Sequence, residues 1–150
     1  MIAEQCQELL AEKGIKASLV TLVNLDVSKR GAEIRKMEDD YLIPSDKFIF
    51  VSPEYNGSIP GVLKSLIDNS DIEKAWWNKK ALLIGVSTGR AGNLRGMEHL
   101  TGILHYVKVV VHPNKLPISV VHKLIDKEGK LTDQETIRAL KMQLDEFINF

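Results

Sequence analysis

The run Ala81-Leu82-Leu83-Ile84-Gly85-Val86 offers no polar position to solvent. A strand with one wet face alternates apolar and polar residues, so a run without alternation has to be covered on both sides. At this length it reads as an interior strand of a parallel sheet. A parallel neighbour cannot be reached by a tight hairpin and needs a crossover, usually a helix. The chain should therefore alternate strands with helices.

The flanking sequence follows that rule. Ile2, Ala3, Cys6, Leu9 and Leu10 recur at helical spacing, and Gly14 suits the left-handed position after a helix. Ala17–Val23 is rich in β-branched residues and predicts a strand. Residues 24–32 have loop character. Ala32 to Leu42 predicts a helix with Ile34, Met37 and Tyr41 on one side, and Pro44 ends it. Lys47 to Val51 predicts a strand. Pro60 fits a first helical position, and Val62, Leu63, Leu66 and Ile67 form the buried side of the helix that follows. Residues 69–78 read as a connection, Lys80 to Val86 as the interior strand, and Leu94 to Tyr106 as a helix with Leu94, Met97, Leu100, Thr101 and Leu104 inward. Val107 to His112 predicts a strand closed by Pro113. Residues 114–130 are loop-like, with a short strand or turn at Ile118 to Val121. Thr132-Asp133-Gln134-Glu135 is a capping box for a last helix whose stripe is Ile137, Leu140, Leu144, Phe147 and Ile148. The fold class is α/β: a doubly wound parallel sheet in one domain, residues 1–150.

Composition narrows the partners. Lys plus Arg and Asp plus Glu are 20 each, so the formal net charge is zero. Nothing in that balance favours nucleic acid or an anionic membrane held by charge. No apolar run approaches the ~20 residues of a membrane span. The single Cys6 cannot form an internal disulfide, and no signal-peptide pattern opens the chain. A cytoplasmic protein is the expectation. Cys6 lies on an apolar helix face and reads as a core filler.

In open α/β sheets ligands sit beyond the carboxyl ends of the strands. Two turns occupy that position. The first is Pro53-Glu54-Tyr55-Asn56-Gly57-Ser58-Ile59-Pro60-Gly61; the second is Ser87-Thr88-Gly89-Arg90-Ala91-Gly92-Asn93. Gly85-Val86-Ser87-Thr88-Gly89 also matches the nucleophile-elbow pattern, which would make Ser87 a hydrolase nucleophile. The acid and histidine that such a triad needs do not follow in the right order. Gly89-Arg90-Ala91-Gly92 could cradle a phosphate or simply make a tight turn. Glu38-Asp39-Asp40 and the four histidines lack metal-ligand spacing, so a solvated helix face and ordinary surface or core roles are expected, with no metal site. Trp76-Trp77 fits either an interface or one buried indole.

The string Pro53 to Lys64, with Ile67-Asp68 after it, closely resembles the signature of the NADPH-dependent FMN reductase family. That family includes flavin, quinone, azo-dye and chromate reductases on a flavodoxin-like, three-layer α/β/α fold. The resemblance implies FMN as cofactor, NADPH or NADH as co-substrate, a small-molecule electron acceptor and a homodimer or higher homo-oligomer. It implies cofactor-binding roles for Pro53, Glu54, Tyr55, Asn56 and Gly57 at the isoalloxazine ring. Ser87, Thr88, Gly89, Arg90 and Gly92 would reach its pyrimidine end. Tyr55 would pack beside the ring or at a dimer interface. Gly57 and Gly61 would let backbone approach closely. No side chain need be catalytic, because FMN carries the redox chemistry.

One departure bears on that expectation. The family opens with a strand and a phosphate-binding loop, Gly-Ser-x-Arg-x-x-Ser, whereas Met1 here falls within the first predicted helix. A gap is expected between Ala17–Val23 and Lys47–Val51, closed by direct pairing, by a partner chain or by further sequence. Weakened or absent FMN binding follows as an expectation for these 150 residues. The rival reading is a flavodoxin-like binding or interaction domain.

Overall fold

A computed structural model describes all 150 residues. Its elements are α1 (Ile2–Ala11), α2 (Ala32–Met37) running into a π-helical turn (Glu38–Leu42), β1 (Lys47–Pro53), α3 (Gly61–Asn69) and α4 (Ile72–Trp76). They continue with β2 (Lys80–Val86), α5 (Leu94–Tyr106), β3 (Val110–Val111), β4 (Leu116–Ile118) and α6 (Gln134–Asn149). All pairings are parallel. β1 runs beside β2 from Lys47↔Lys80 to Pro53↔Val86. The other edge of β2 is shared: β3 pairs at Lys80–Ala81, and β4 pairs at Ile84–Val86.

The unalternating run occupies the predicted place. Ala81, Leu82, Leu83 and Ile84 are fully buried. Successive residues point to opposite faces. Phe48, Phe50, Ala81 and Leu83 join the layer containing α3, α5 and Trp76. Ile49, Val51, Leu82 and Ile84 join the layer containing α1 and α6. The result is the expected three-layer, flavodoxin-like α/β/α arrangement. Cys6 lies in the α1–α6 layer, where burial pushes its thiol up to about 12. No helix is long and apolar enough to cross a membrane.

Several local expectations are corrected. Ala17–Val23 is not a strand; it has no regular structure and Leu19, Val20 and Val23 are exposed. A strand exists through its ladder, and no other strand lies along this segment to complete one. It is tied instead by Gln7 Nε2 donating to the Ala17 carbonyl at 2.7 Å and by a local turn in which Leu25 N–H donates to Leu22 O at 3.4 Å. The two segments flanking the predicted gap do not pair directly, and β2 is the one strand that pairs with β1.

The predicted strand Val107–His112 shrinks to Val110–Val111. His112 N–H still reaches the Ala81 carbonyl at 2.8 Å, but Pro113 has no N–H to continue. Gln143 of α6 fills the break, its Nε2 donating to Leu83 O at 3.2 Å and to Asn114 O at 2.8 Å. Residues 69–78 contain α4, capped by Asp71, whose side chain accepts from the N–H groups of Glu73 and Lys74. Trp76 is fully buried and donates Nε1–H to Ser70 Oγ at 2.8 Å; the Lys108 ammonium lies over the Trp77 ring.

The helix predicted over Ala32–Leu42 becomes α plus a π turn, which leaves Tyr41 exposed, while Glu38, four residues after Ile34, shares the buried face. Glu38 is therefore not on a solvated face: its carboxylate accepts from Arg30 and from the Asp71 N–H. Leu94 is exposed, since it opens α5 at the rim of the sheet. The cap of α6 is Asp133, one residue inside the predicted box, and it accepts from the Thr136 N–H at 2.9 Å.

Candidate functional site

β1 and β2 end side by side, so the two turns leave the sheet together. The first is held at its start by Glu54 N–H donating to Val86 O at 2.9 Å. Tyr55 and Ser58 then exchange both backbone hydrogen bonds, at 2.9 and 3.0 Å, around Asn56 (φ 50°) and Gly57 (φ 77°). Two positive φ values in a two-residue loop make a type I′ turn, the geometry that Asn-Gly favours. Ser58 Oγ also lies 2.9 Å from His99 Nδ1 on α5.

The second turn is held by its carbonyls. Val121 N–H donates to Ser87 O and Val120 N–H to Gly89 O, both at 3.0 Å, while Ser87 N–H donates to Ile118 O at 3.0 Å. Val120 adopts φ 49° to bring this about. The carbonyl side of the turn is thus occupied by residues 118–121. The N–H groups of Asn56, Gly57, Thr88 and Gly89 have no partner within the chain.

These residues border a common cleft. Glu54, Asn56, Gly57, Ser87, Thr88 and Gly89 line a cavity of about 280 Å³. All six are among the residues singled out from sequence. Pro53 ends β1 just below the cleft, and the Tyr55 side chain is 61% exposed outside it. Arg90, within the second turn, is exposed and outside the lining. Gly92 is not in the lining: it has φ 58°, and a Cβ there would stand 2.6 Å from Pro117 Cβ, so its role is packing. Gly61 has open space around it and an ordinary φ.

Glu54 is the single ionisable side chain in the lining, so the cleft contains no acid–base pair. Ser87 Oγ–H donates to Gly89 O at 2.9 Å, and no histidine borders the cleft. That arrangement does not serve a Ser87 nucleophile, which needs a base within hydrogen-bond reach. What the cleft does supply is free backbone donors at strand ends, suited to the polar edge of a planar heterocycle that gains negative charge. Gly89 is informative here. A Cβ on it would come no closer than 4.0 Å to any neighbour, and its φ is not in the left-handed region. The fold does not require a glycine at this position; a ligand lying against it would.

A larger groove of about 890 Å³ runs between α3 and α5, bordered by Ile67, Ile72, Ile103, Tyr106 and Val107. It lies along the helices rather than beyond the strand ends and lacks the free backbone donors, which makes the smaller cleft the better ligand site. Sequence reasoning missed Asn93 and the strap of residues 118–121. An Asn immediately before a predicted helix was the available signal for the first; the second forms only through tertiary pairing.

The family model described as NADPH-dependent FMN reductase matches residues 1–123. A 2-hydroxy-1,4-benzoquinone reductase from a Burkholderia species is 28% identical over 84% of this chain and 71% of its own length. An NAD(P)H-dependent FMN reductase from Pseudomonas aeruginosa is 35% identical over 67% of this chain and 56% of its own. The chain thus spans little more than half of the Pseudomonas relative. Among solved structures, FerB from Paracoccus denitrificans, described as a flavoenzyme NAD(P)H:(acceptor) oxidoreductase, superposes with a TM-score of 0.82. The two are 24% identical, and the match covers 99% of this chain and 86% of that one.

Proposed function

Because the chain belongs to the NADPH-dependent FMN reductase family, we propose that the cleft between the two turns holds the ring end of FMN. On this reading the protein is an NAD(P)H-dependent oxidoreductase for a small acceptor. The observation that carries this reading is the set of unpartnered N–H groups on Asn56, Gly57, Thr88 and Gly89 around a cleft with no acid–base pair. Bound FMN supplies the redox chemistry between reduced nicotinamide and the acceptor. The chain's own part is to bind and orient. Its free N–H groups meet the polar edge of the ring, where they favour negative charge without a titrating side chain. Pro53 stiffens the first turn, and Gly89 lets the ring lie close to backbone. Arg90 stands at the rim, and Tyr55 is available beside the ring or to a second subunit. Flavins, quinones, azo compounds and metal oxyanions are the acceptor classes of this reading, and the site contains no side-chain signature that separates them.

A second copy of the chain is the partner proposed for the α3–α5 groove. Tyr106 there is 84% exposed and Ile72 41%, an apolar strip that a homodimer would cover.

One observation favours the rival reading of a binding domain with weak flavin affinity. The pattern Gly-Ser-x-Arg-x-x-Ser does not occur in the 150 residues, so they contain no phosphate loop of that type. The experiment is NADPH oxidation by the purified chain with and without added FMN and a quinone. FMN-dependent turnover supports the reductase. Flavin uptake without turnover supports the rival, and neither uptake nor turnover removes the flavin site altogether.

A further inference from the structure

We propose that Asn93 is a positioning residue that latches the two turns of the cleft together and so sets how firmly flavin is held; the flavin half of this statement rests on the reading above. Asn93 is fully buried, although it is polar and lies in a connecting loop. It stands immediately before α5 with φ 64°, a left-handed conformation that Asn tolerates better than most residues. At such a position an Asn side chain ordinarily accepts from the first N–H groups of the helix. Here it makes no such bond. Its Nδ2 crosses to β1 instead and donates to Ser52 O at 2.9 Å.

The surroundings are built around that crossing. Ser52 pairs with Gly85 in the β1–β2 ladder and immediately precedes the first turn. A Cβ on Gly85 would stand 2.2 Å from Gly92 O and 3.0 Å from Asn93 Cβ. A Cβ on Gly96 would stand 2.0 Å from Asn93 Oδ1 and 2.9 Å from the Ser58 carbonyl carbon. These two glycines therefore vacate the space that Asn93 and the second turn occupy. Through Gly96 the same helical turn is also brought against Ser58, which pairs with Tyr55 to close the tight loop of the first turn. The side chain accepts a local cost for this, since its Oδ1 is buried without a partner. A residue needed only to start α5 would have used its oxygen on the helix. Asn93 uses its amide to fix one turn relative to the other, and the free N–H groups of the cleft come from both.

The test compares the full chain with Asn93→Gly, which keeps the left-handed backbone without strain and removes only the latch. Three readings are taken: FMN affinity by quenching of flavin fluorescence, the visible spectrum of bound flavin, and amide hydrogen exchange of the flavin-free protein. The latch predicts at least tenfold weaker FMN binding with a shifted flavin spectrum. It also predicts at least tenfold faster exchange at the N–H groups of Glu54 and Ser58, with exchange in the middle of β2 unchanged. Uniformly faster exchange through β2 would mean that Asn93 serves general stability and would overturn the proposal. So would wild-type affinity and spectrum in Asn93→Gly. If the wild-type chain takes up no FMN, the flavin reading fails, and exchange decides the latch alone. Equal exchange in the two proteins overturns it, and selective loosening at Glu54 and Ser58 upholds it.

Discussion

At Gly89 a methyl group would meet nothing closer than 4.0 Å, while at Gly92 it would collide with Pro117 at 2.6 Å. The two glycines of one turn thus answer to different demands. Gly92 serves packing, whereas Gly89 leaves a surface open toward the cleft. Replacing a glycine of compatible backbone by alanine stabilises a fold by about 0.4–1 kcal/mol, through the unfolded chain. Gly89→Ala is therefore expected to keep or slightly raise the melting temperature while weakening FMN binding several-fold. Thermal denaturation and a flavin titration on the same sample check both halves. Residue identities in the two turns were legible from sequence because Asn-Gly, Pro and the glycines are local signals. Asn93 and Glu38 were not, because their roles come from partners distant in the chain. Asn93 reaches Ser52, and Glu38, four residues after the buried Ile34, is held inward by Arg30 and the Asp71 N–H.

Among the elements, β2 was the most legible, because a run buried on both faces admits few alternatives. Its neighbours were less so. Ala17–Val23 has the composition of a strand, but β-propensity describes a fit to a sheet surface and cannot supply a missing ladder. On the other edge Pro113 ends the predicted strand as the short β3, β4 takes up the same edge of β2 from a segment expected to be loop-like, and Gln143 bonds the β2 carbonyl left between them. Gln143→Leu would leave the buried Leu83 carbonyl without that donor, at a cost of about 2 kcal/mol. Urea denaturation should show a lower midpoint with an unchanged slope. The α6 cap gives a pH signature. Hydrogen bonds from Thr136, side chain first and then backbone, hold the Asp133 carboxyl below the ordinary aspartate range. A depressed folded pKa means stabilisation that is present above the unfolded value and lost as pH falls through the folded one. Melting temperatures of wild type and Asp133→Ala should therefore differ at neutral pH and converge in acid.

For the whole molecule, the three layers place both turns at one end of the sheet and the apolar α3–α5 groove along its side. Ile103 and Tyr106 belong to that groove, well away from the cleft lining. Tyr106→Arg is expected to shift a dimer toward monomer in sedimentation velocity without loss of fold, since the side chain is mostly in solvent. The proposed flavin site draws on both turns, whose free N–H groups would meet the ring end of the cofactor. The most direct test is a fluorescence titration of the 150-residue chain with FMN and, in parallel, with riboflavin, which has the same ring but no phosphate. Binding of both, with dissociation constants within about threefold (under ~0.7 kcal/mol) of each other, is the predicted result. Failure of both ligands to bind at millimolar concentration would contradict a ring site between Glu54–Gly57 and Ser87–Gly89.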